Sequence, residues 1–153
     1  MILQHNMEKS IKKIIRKSLE HINLDSEDAR DLIYKTGKAE SGYKTLQQYG
    51  GGPALGFFQM EPNTAMDIWD NYVMFRPKYR DKLFSLGFDD GTLEFCLLSN
   101  IGLQAAFCRL HYRRVPSALP KKDHLESQAK YWKQHYNSHL GKGTVKHFME
   151  ANS

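Results

Sequence analysis

Residues 92–108, TLEFCLLSNIGLQAAFC, form the most apolar stretch of the chain and decide the fold expected for it. Apolar side chains recur there every three or four residues, at Leu93, Leu97, Ile101, Ala105 and Cys108. This spacing places them on one face of an α-helix. The sequence therefore predicts one continuous helix that begins at Thr92 and lies at the centre of a helical domain.

Two amphipathic segments precede this stretch and are expected to pack against it. The first has apolar residues at helical spacing, namely Ile11, Ile14, Ile15, Leu19 and Ile22. Its opposite face is basic and carries Lys12, Lys13, Arg16 and Lys17. The second segment is predicted to begin at an N-cap, Asp25 or Ser26. Its inner stripe consists of Ala29, Leu32, Ile33 and Thr36.

Further helices are predicted in the second half of the chain, after a glycine-rich region. Residues 42–56 include three consecutive glycines followed by Pro53, which predicts a loop or a short hairpin. Thr64 is expected to cap the next helix, with Asp67 as its capping-box partner. A later helix follows the stripe Leu125, Ala129, Trp132 and Tyr136, and a short last one carries Val145 and Phe148.

Length, charge and cysteine content limit the possible classes of protein. The 153 residues suit a single domain, with a basic amphipathic helix in residues 1–24 and a core in residues 25–150. The net charge of +5 suits an anionic polymer, and nucleic acid and bacterial cell wall both qualify. Cys96 and Cys108 are twelve positions apart. On one helix that is about 18 Å, too far for a disulfide, so free thiols are expected.

The beginning of the chain carries neither a signal-peptide core nor an apolar run of about 20 residues that could span a membrane. We therefore expect no integral membrane segment and no export by the usual secretory route. A protein of this kind is expected to be made in a cytoplasm.

Glu40 is the most informative charged residue of the predicted core. It follows Ala29 by eleven residues. Eleven helical steps of about 100° return to within about 20° of the starting direction. Glu40 is therefore expected on the core-facing side of the second helix, near its end. A carboxylate in that position is costly unless it is paired, protonated or facing a cleft.

The residues around Glu40 carry a pattern that extends over a loop. The chain reads AESGY at 39–43 and ALGFFQMEPNTA at 54–65. This pattern resembles the signature of the soluble lytic transglycosylases, which share their fold with goose-type lysozymes. The residues in register are Glu40, Ser41, Gly56, Gln59, Pro62, Thr64 and Ala65. Phe57 and Phe58 replace the usual Leu-Met pair.

Two further blocks resemble the same family. Asn100 and Ile101 match its central-helix block. In that block Phe107, a similar aromatic residue, occupies the position of the family tyrosine, and Gln104 replaces a glycine. Tyr136 and Asn137 match a Tyr-Asn pair, although the loop after them is longer here. The resemblance implies a mainly α, or α+β, lysozyme-like fold. In that fold the helices surround a central apolar helix, and the irregular or hairpin region forms part of the cleft.

The resemblance also implies an activity and a set of site residues. It implies cleavage of the MurNAc–GlcNAc backbone of peptidoglycan by Glu40, acting first as an acid and then as a base, with a 1,6-anhydro product. The residues implied to contact substrate are Ser41, Gln59, Met60, Tyr136 and Asn137. Ser41 would bond the Glu40 carboxyl or a sugar, Gln59 the substrate amide, and Tyr136 would orient Glu40. No cofactor is implied.

Several of these residues have a simpler structural interpretation. Gln59 and Met60 could be core residues, and Tyr136 ends an apolar stripe. His135 and His139 are four residues apart but have no glutamate beside the first histidine, so they do not form a zinc motif and no metal site is expected. Candidates for a second carboxylate are Glu61, Asp67 and Asp70.

Other classes of function stay open from the sequence. A hydrolytic muramidase would use a second carboxylate. A nucleic-acid binder is suggested by the cluster Arg109, His111, Arg113 and Arg114, but no recognition motif accompanies it and no nucleic-acid partner is expected. A phage tail or structural protein could keep the lysozyme-like fold without activity. A wall-degrading enzyme without a signal peptide is expected to be a bacteriophage protein, either a virion component or a lysis enzyme. It would act in the periplasm or cell wall, and its N-terminal helix could dock on virion or tail proteins.

Overall fold

The structure is a computed structural model that describes residues 2–137 and 141–153, with side chains from residue 4 onward. This part of the chain is all-helical, with eight α-helices and essentially no strands. The helices are α1 (Ile2–His21), α2 (Glu27–Glu40), α3 (Pro62–Asn71), α4 (Pro77–Ser85), α5 (Leu93–Ser99), α6 (Ile101–Arg113), α7 (Leu125–Trp132) and α8 (Val145–Ala151). The mainly α prediction is therefore confirmed.

The α+β variant of the prediction is wrong, because residues 42–56 form an irregular loop. Within the described residues, pairing is limited to isolated bridges that join Leu55 to Gln47 and to Met60. Gly50 and Gly51 both have φ of +80° and lie in a short 3₁₀ turn, Tyr49–Gly51. Glycines in this conformation followed by Pro53, which has no N–H to donate, cannot continue a ladder of strand hydrogen bonds.

The predicted central helix is interrupted at Asn100, so the expectation of one continuous helix is wrong. Asn100 has φ of −106° and ψ of 94°, and its side-chain oxygen accepts a hydrogen bond from the Leu103 backbone N–H at 2.9 Å. Its side-chain nitrogen donates to the Leu86 carbonyl at 2.7 Å. The side chain thus caps a new helix, α6, while the apolar spacing continues across the break.

Helix α6 is the centre of the core, and α1 packs along it. The side chains of α6 that are 0 % exposed are Leu103, Ala105, Ala106, Phe107, Cys108 and Leu110. Ile11, Ile15 and Leu19 of α1 are at most 2 % exposed, while its basic face stays in solvent. Burial of each such side chain is worth about 1.5–3 kcal/mol, so α1 is an integral part of this core. Any docking by α1 would have to use its basic face.

Helix α2 forms as predicted, whereas α3 begins earlier than predicted. The Ser26 hydroxyl accepts a hydrogen bond from the Ala29 N–H at 3.0 Å, which confirms the N-cap. The α2 residues Ala29, Leu32, Ile33 and Thr36 are all 0 % exposed. Helix α3 begins at Pro62, whose ring sets the helical φ, so Thr64 lies inside the helix and caps nothing. Asp67 instead accepts from Arg114 at 2.8 Å and from Asn71 at 2.6 Å.

The last two helices, α7 and α8, form where the apolar spacing of the sequence predicts them. Helix α7 ends at Trp132 and continues as a π-helical turn, Lys133–Asn137, and α8 follows from a Thr144 cap. Cys96 and Cys108 are both buried and free, as predicted. None of the helices in the described residues is long and apolar enough to cross a membrane.

Candidate functional site

Glu40 is the last residue of α2, and its partly buried carboxylate faces the α7 side of the molecule. The Trp132 indole Nε1 donates a hydrogen bond to Glu40 Oε2 at 2.9 Å. Burial raises the pKa of Glu40 to about 7, against hydrogen bonds from Trp132 and Asn137 that lower it. A carboxyl with this pKa is about half protonated near neutral pH, so it can both give and take a proton.

The end of α2 is held in place by α8. The His147 Nε2–H donates to the Ala39 carbonyl at 2.7 Å, which determines the tautomer of that ring. The Asn152 side-chain nitrogen donates to the Lys35 carbonyl at 3.1 Å. The first bond satisfies a carbonyl that the end of a helix leaves without an intrahelical partner, and both bonds attach the last turns of α2 to α8.

Ser41 connects the end of α2 to the loop that follows. Its hydroxyl donates to the Phe57 carbonyl at 2.6 Å and accepts from the Tyr43 backbone N–H at 3.0 Å. Within the described part of the chain it forms no hydrogen bond with Glu40. Ser41 therefore positions the loop, and a contact with a sugar stays a prediction.

Trp132 takes the orienting role that the family resemblance implied for Tyr136. The Tyr136 hydroxyl donates to the Phe58 carbonyl at 2.6 Å, and its ring stacks on Tyr112 with centroids 5.3 Å apart. Trp132 lies four residues earlier on the same apolar stripe, so one helical turn separates the implied residue from the actual partner. Its buried indole needed a hydrogen-bond acceptor, and this was the signal in the sequence that could have identified it.

Asn137, expected to contact substrate, lies beside Glu40. Its side chain hydrogen-bonds the carboxyl and lowers the pKa of Glu40. Its Oδ1 accepts from Lys133 Nζ at 2.9 Å, which leaves the amide nitrogen as the group that donates. The π-helical turn, Lys133–Asn137, shifts the register of this segment. Such turns frequently occur at functional sites.

Gln59 and Met60 have different environments. Gln59 has φ of +49°, is partly buried, and donates from Nε2 to the Gly56 carbonyl at 2.8 Å. Met60 is 5 % exposed and belongs to the hydrophobic core, and its implied contact with substrate stays a prediction. Its packing follows the structural interpretation that the sequence had left open.

The loop rests on α6 through Gln104, the residue that departs from the family pattern. Gln104 Oε1 accepts a hydrogen bond from the Phe57 backbone N–H at 2.9 Å. Gly56 has φ of +79°, and a Cβ there would lie 2.5 Å from the Leu97 carbonyl oxygen and 2.6 Å from the Gln104 side chain. Gly56 permits this close approach. Gln104, which is longer than the family glycine at this position, holds the loop against α6 through its hydrogen bond to Phe57.

The remaining charged candidates lie apart from Glu40 or are already paired. Burial lowers the pKa of His111 to about 4, so its ring is neutral, and Arg109 is 8 % exposed and donates to the Leu24 carbonyl. Arg114 pairs with Asp67 at 2.8 Å. Of the cluster Arg109, His111, Arg113 and Arg114, only Arg113 is exposed. His139 lies outside the described residues, within which no three potential metal ligands come together.

Two grooves lie on the described part of the molecule, and neither has Glu40 among its lining residues. A cleft of about 680 Å³ opens beside the loop, with Tyr43 and Phe57 among its lining residues. A larger groove of about 720 Å³ runs between α1 and α2. The residue after Glu40, Ser41, hydrogen-bonds the carbonyl of Phe57, which lines the first of these grooves. We therefore place the candidate site at Glu40 and the border of the loop cleft.

The resemblance to the lytic transglycosylases is supported by the residues of this chain alone, without support from comparisons with known proteins. A scan of protein-family models, a search of curated proteins and a search of solved structures each gave no match to this chain. The family therefore remains a prediction from the motif around Glu40.

Proposed function

We propose that this protein cleaves the MurNAc–GlcNAc glycan backbone of bacterial peptidoglycan without water, as a lytic transglycosylase. The observation that carries this proposal is Glu40, the last residue of α2, whose pKa is raised to about 7 by burial. A general acid works best when its pKa lies near the working pH. The motif of residues 39–65 supplies the substrate class.

The chemistry needs only one carboxyl group. Glu40 gives its proton to the glycosidic oxygen as the bond from that oxygen to the anomeric carbon breaks. The 6-hydroxyl of the same sugar attacks the anomeric carbon, and the Glu40 carboxylate takes the proton of that hydroxyl. The products are a strand with a 1,6-anhydro end and a strand with a free hydroxyl, and Glu40 is again protonated.

The surroundings of Glu40 support the one-carboxyl mechanism over a hydrolytic one. Among the described residues, burial, Trp132 and Asn137 determine the pKa of Glu40, and no neighbouring carboxylate contributes. Retaining and inverting glycosidases place a second carboxyl group within about 10 Å of the first. Asp67, one candidate for that group, is instead paired with Arg114. A hydrolytic muramidase is the alternative that product analysis must reject.

The deciding experiment is mass spectrometry of the products from purified peptidoglycan. The transglycosylase predicts strands that end in 1,6-anhydro-muramic acid, with no incorporation of ¹⁸O when the reaction is run in labelled water. Reducing ends that carry ¹⁸O would establish the hydrolase instead. Intact strands after prolonged incubation would reject both activities and favour a structural protein with this fold.

A further inference from the structure

A groove between α1 and α2 is lined mainly by cationic side chains. It has a volume of about 720 Å³. Its basic lining residues are Lys9, Lys12, Lys13, Arg16, Arg30 and Lys122. Four of these lie on α1 and the others come from α2 and the segment before α7, so the fold collects the charge from three parts of the chain.

Half of these cations have an ion-pair partner in the protein. Lys12 pairs with Glu8 at 3.0 Å, and Arg30 pairs with Asp25 at 2.9 Å. Arg16 approaches Glu20 at 3.7 Å. Within residues 2–137 and 141–153, no ion pair involves Lys9, Lys13 or Lys122, and all three side chains are exposed.

The groove also contains acidic groups, which limits the kind of anion that fits. Glu27 and Asp31 are among its lining residues, and Asp31 is engaged by Lys35 at 2.9 Å. Duplex DNA carries one negative charge per about 1.7 Å of its axis and would meet repulsion from these carboxylates. A polymer with widely spaced carboxylates, separated by neutral sugar or amide groups, avoids that repulsion.

A pair of stacked tyrosines lies between the groove and the cleft beside the loop. Tyr34 lines the groove and stacks on Tyr43, with ring centroids 5.3 Å apart, and Tyr43 lines the cleft beside the loop. Tyr34 also precedes Glu40 by six residues on α2. That is about 9 Å along the helix axis and about 120° around it, so a strand of a few linked sugars must pass around the side of α2 to reach both. One strand that follows this path could contact both places.

We propose that the groove between α1 and α2 binds carboxylate-bearing peptide stems of the polymer whose glycan backbone lies at Glu40. This assignment rests on the proposed function and adds a second site to it. Lys9, Lys13 and Lys122 hold the stem carboxylates, while the sugars continue past Tyr34 and Tyr43. The groove keeps the enzyme on an anionic wall and takes no part in the chemistry.

The test measures binding to purified sacculi freed of other anionic polymers, by co-sedimentation at several salt concentrations. Every protein carries Glu40→Gln so that the sacculi stay intact. The groove variant is Lys9→Gln with Lys13→Gln and Lys122→Gln. Its matched control removes the same charge outside the groove, at the exposed residues Lys17, Lys78 and Lys142, each changed to Gln.

We expect the groove variant to bind at least about tenfold more weakly than the control, with a smaller dependence on salt. Chemical amidation of the sacculi should weaken the binding of the parent protein to the level measured for the groove variant on untreated sacculi. Equal losses in the two variants, or unchanged binding to amidated sacculi, would overturn the proposal. Tighter binding to duplex DNA than to sacculi, lost only in the groove variant, would assign the groove to nucleic acid and also overturn it.

The failure of the groove proposal differs from that of the proposed function. Protein with Glu40 intact that binds sacculi through the groove but yields no cleaved strand would reject the enzymatic function and leave the binding site standing. Cleavage of strands by a groove variant that binds sacculi as tightly as its control does would reject the groove proposal and leave the enzymatic function standing.

Discussion

Trp132 donates its indole N–H to the carboxylate of Glu40 at 2.9 Å, although the two residues are 92 positions apart in the chain. The indole side chain is 1 % exposed, so the bond lies at the inner side of the carboxyl group. A donor to the charged form favours ionisation, while the surrounding burial opposes it. The pKa of Glu40, about 7, is the balance of these effects.

Replacing Trp132 with Phe should raise the pKa of Glu40 further, because it removes a donor to the charged form. The titration of the labelled Glu40 carboxyl carbon, followed by NMR, measures this directly. Activity should also extend to higher pH, with kcat affected more than KM. Trp69→Phe is the matched control, since Trp69 is another buried indole and stacks on Phe88. An unchanged titration in Trp132→Phe contradicts the role given to this bond.

Glu40→Gln should lose activity by a factor of at least about 10²–10⁴, the usual contribution of a general acid. Glu61→Gln, Asp67→Asn and Asp70→Asn should each keep most of it, because the mechanism uses one carboxyl. Release of soluble strands from peptidoglycan is the measurement. A folded Glu61→Gln, Asp67→Asn or Asp70→Asn protein as inactive as Glu40→Gln would instead favour the two-carboxylate hydrolase.

Stability should depend on pH through Glu40 even in the absence of substrate. Its pKa is raised in the folded state from 4.5 to about 7, so the folded protein binds the proton more tightly than the unfolded chain. This contribution is present below the unfolded pKa and is lost as pH rises through the folded value. From about pH 5 to about pH 8, Glu40→Gln should therefore gain stability relative to the parent, by at most about 3 kcal/mol. Thermal unfolding of both proteins at each pH tests this, and a constant difference contradicts it.

Gly56→Ala should destabilise the fold by more than about 2 kcal/mol, for two reasons. The new methyl group would clash with the Leu97 carbonyl, and alanine would be strained at the positive φ of this position. Gly51→Ala is the matched control. It has φ of +80° against +79° at Gly56, but has open space around the site of its Cβ. It should cost only about 1–2 kcal/mol, the strain of the left-handed conformation. Urea unfolding gives both values, and equal losses would mean that the close contact with the Leu97 carbonyl of α5 contributes nothing.

Features that depend on a few neighbouring residues could be predicted from the sequence. The buried stripe of α2 follows from helical spacing, and its Ser26 cap follows from a hydroxyl three residues ahead of the backbone N–H that donates to it. The same periodicity placed Glu40 on the side that turns towards the interior. The break at Asn100 was missed, because apolar spacing continues through it while the side chain caps a new helix. The start of α3 at Pro62 was missed because Thr64 offered a competing cap.

The sequence by itself determined a helical domain and a carboxyl group that faces its core, since both follow from a period of 3.6 residues along one segment. Only the tertiary structure decided which indole bonds that carboxyl, and that Ser41 and Gln104 hold the loop instead of contacting Glu40. It also decided that cations of α1, α2 and the segment before α7 share one groove. These relationships join segments that are distant in the chain. They are determined by the packing of whole helices against one another, which cannot be deduced from the periodicity of a single segment.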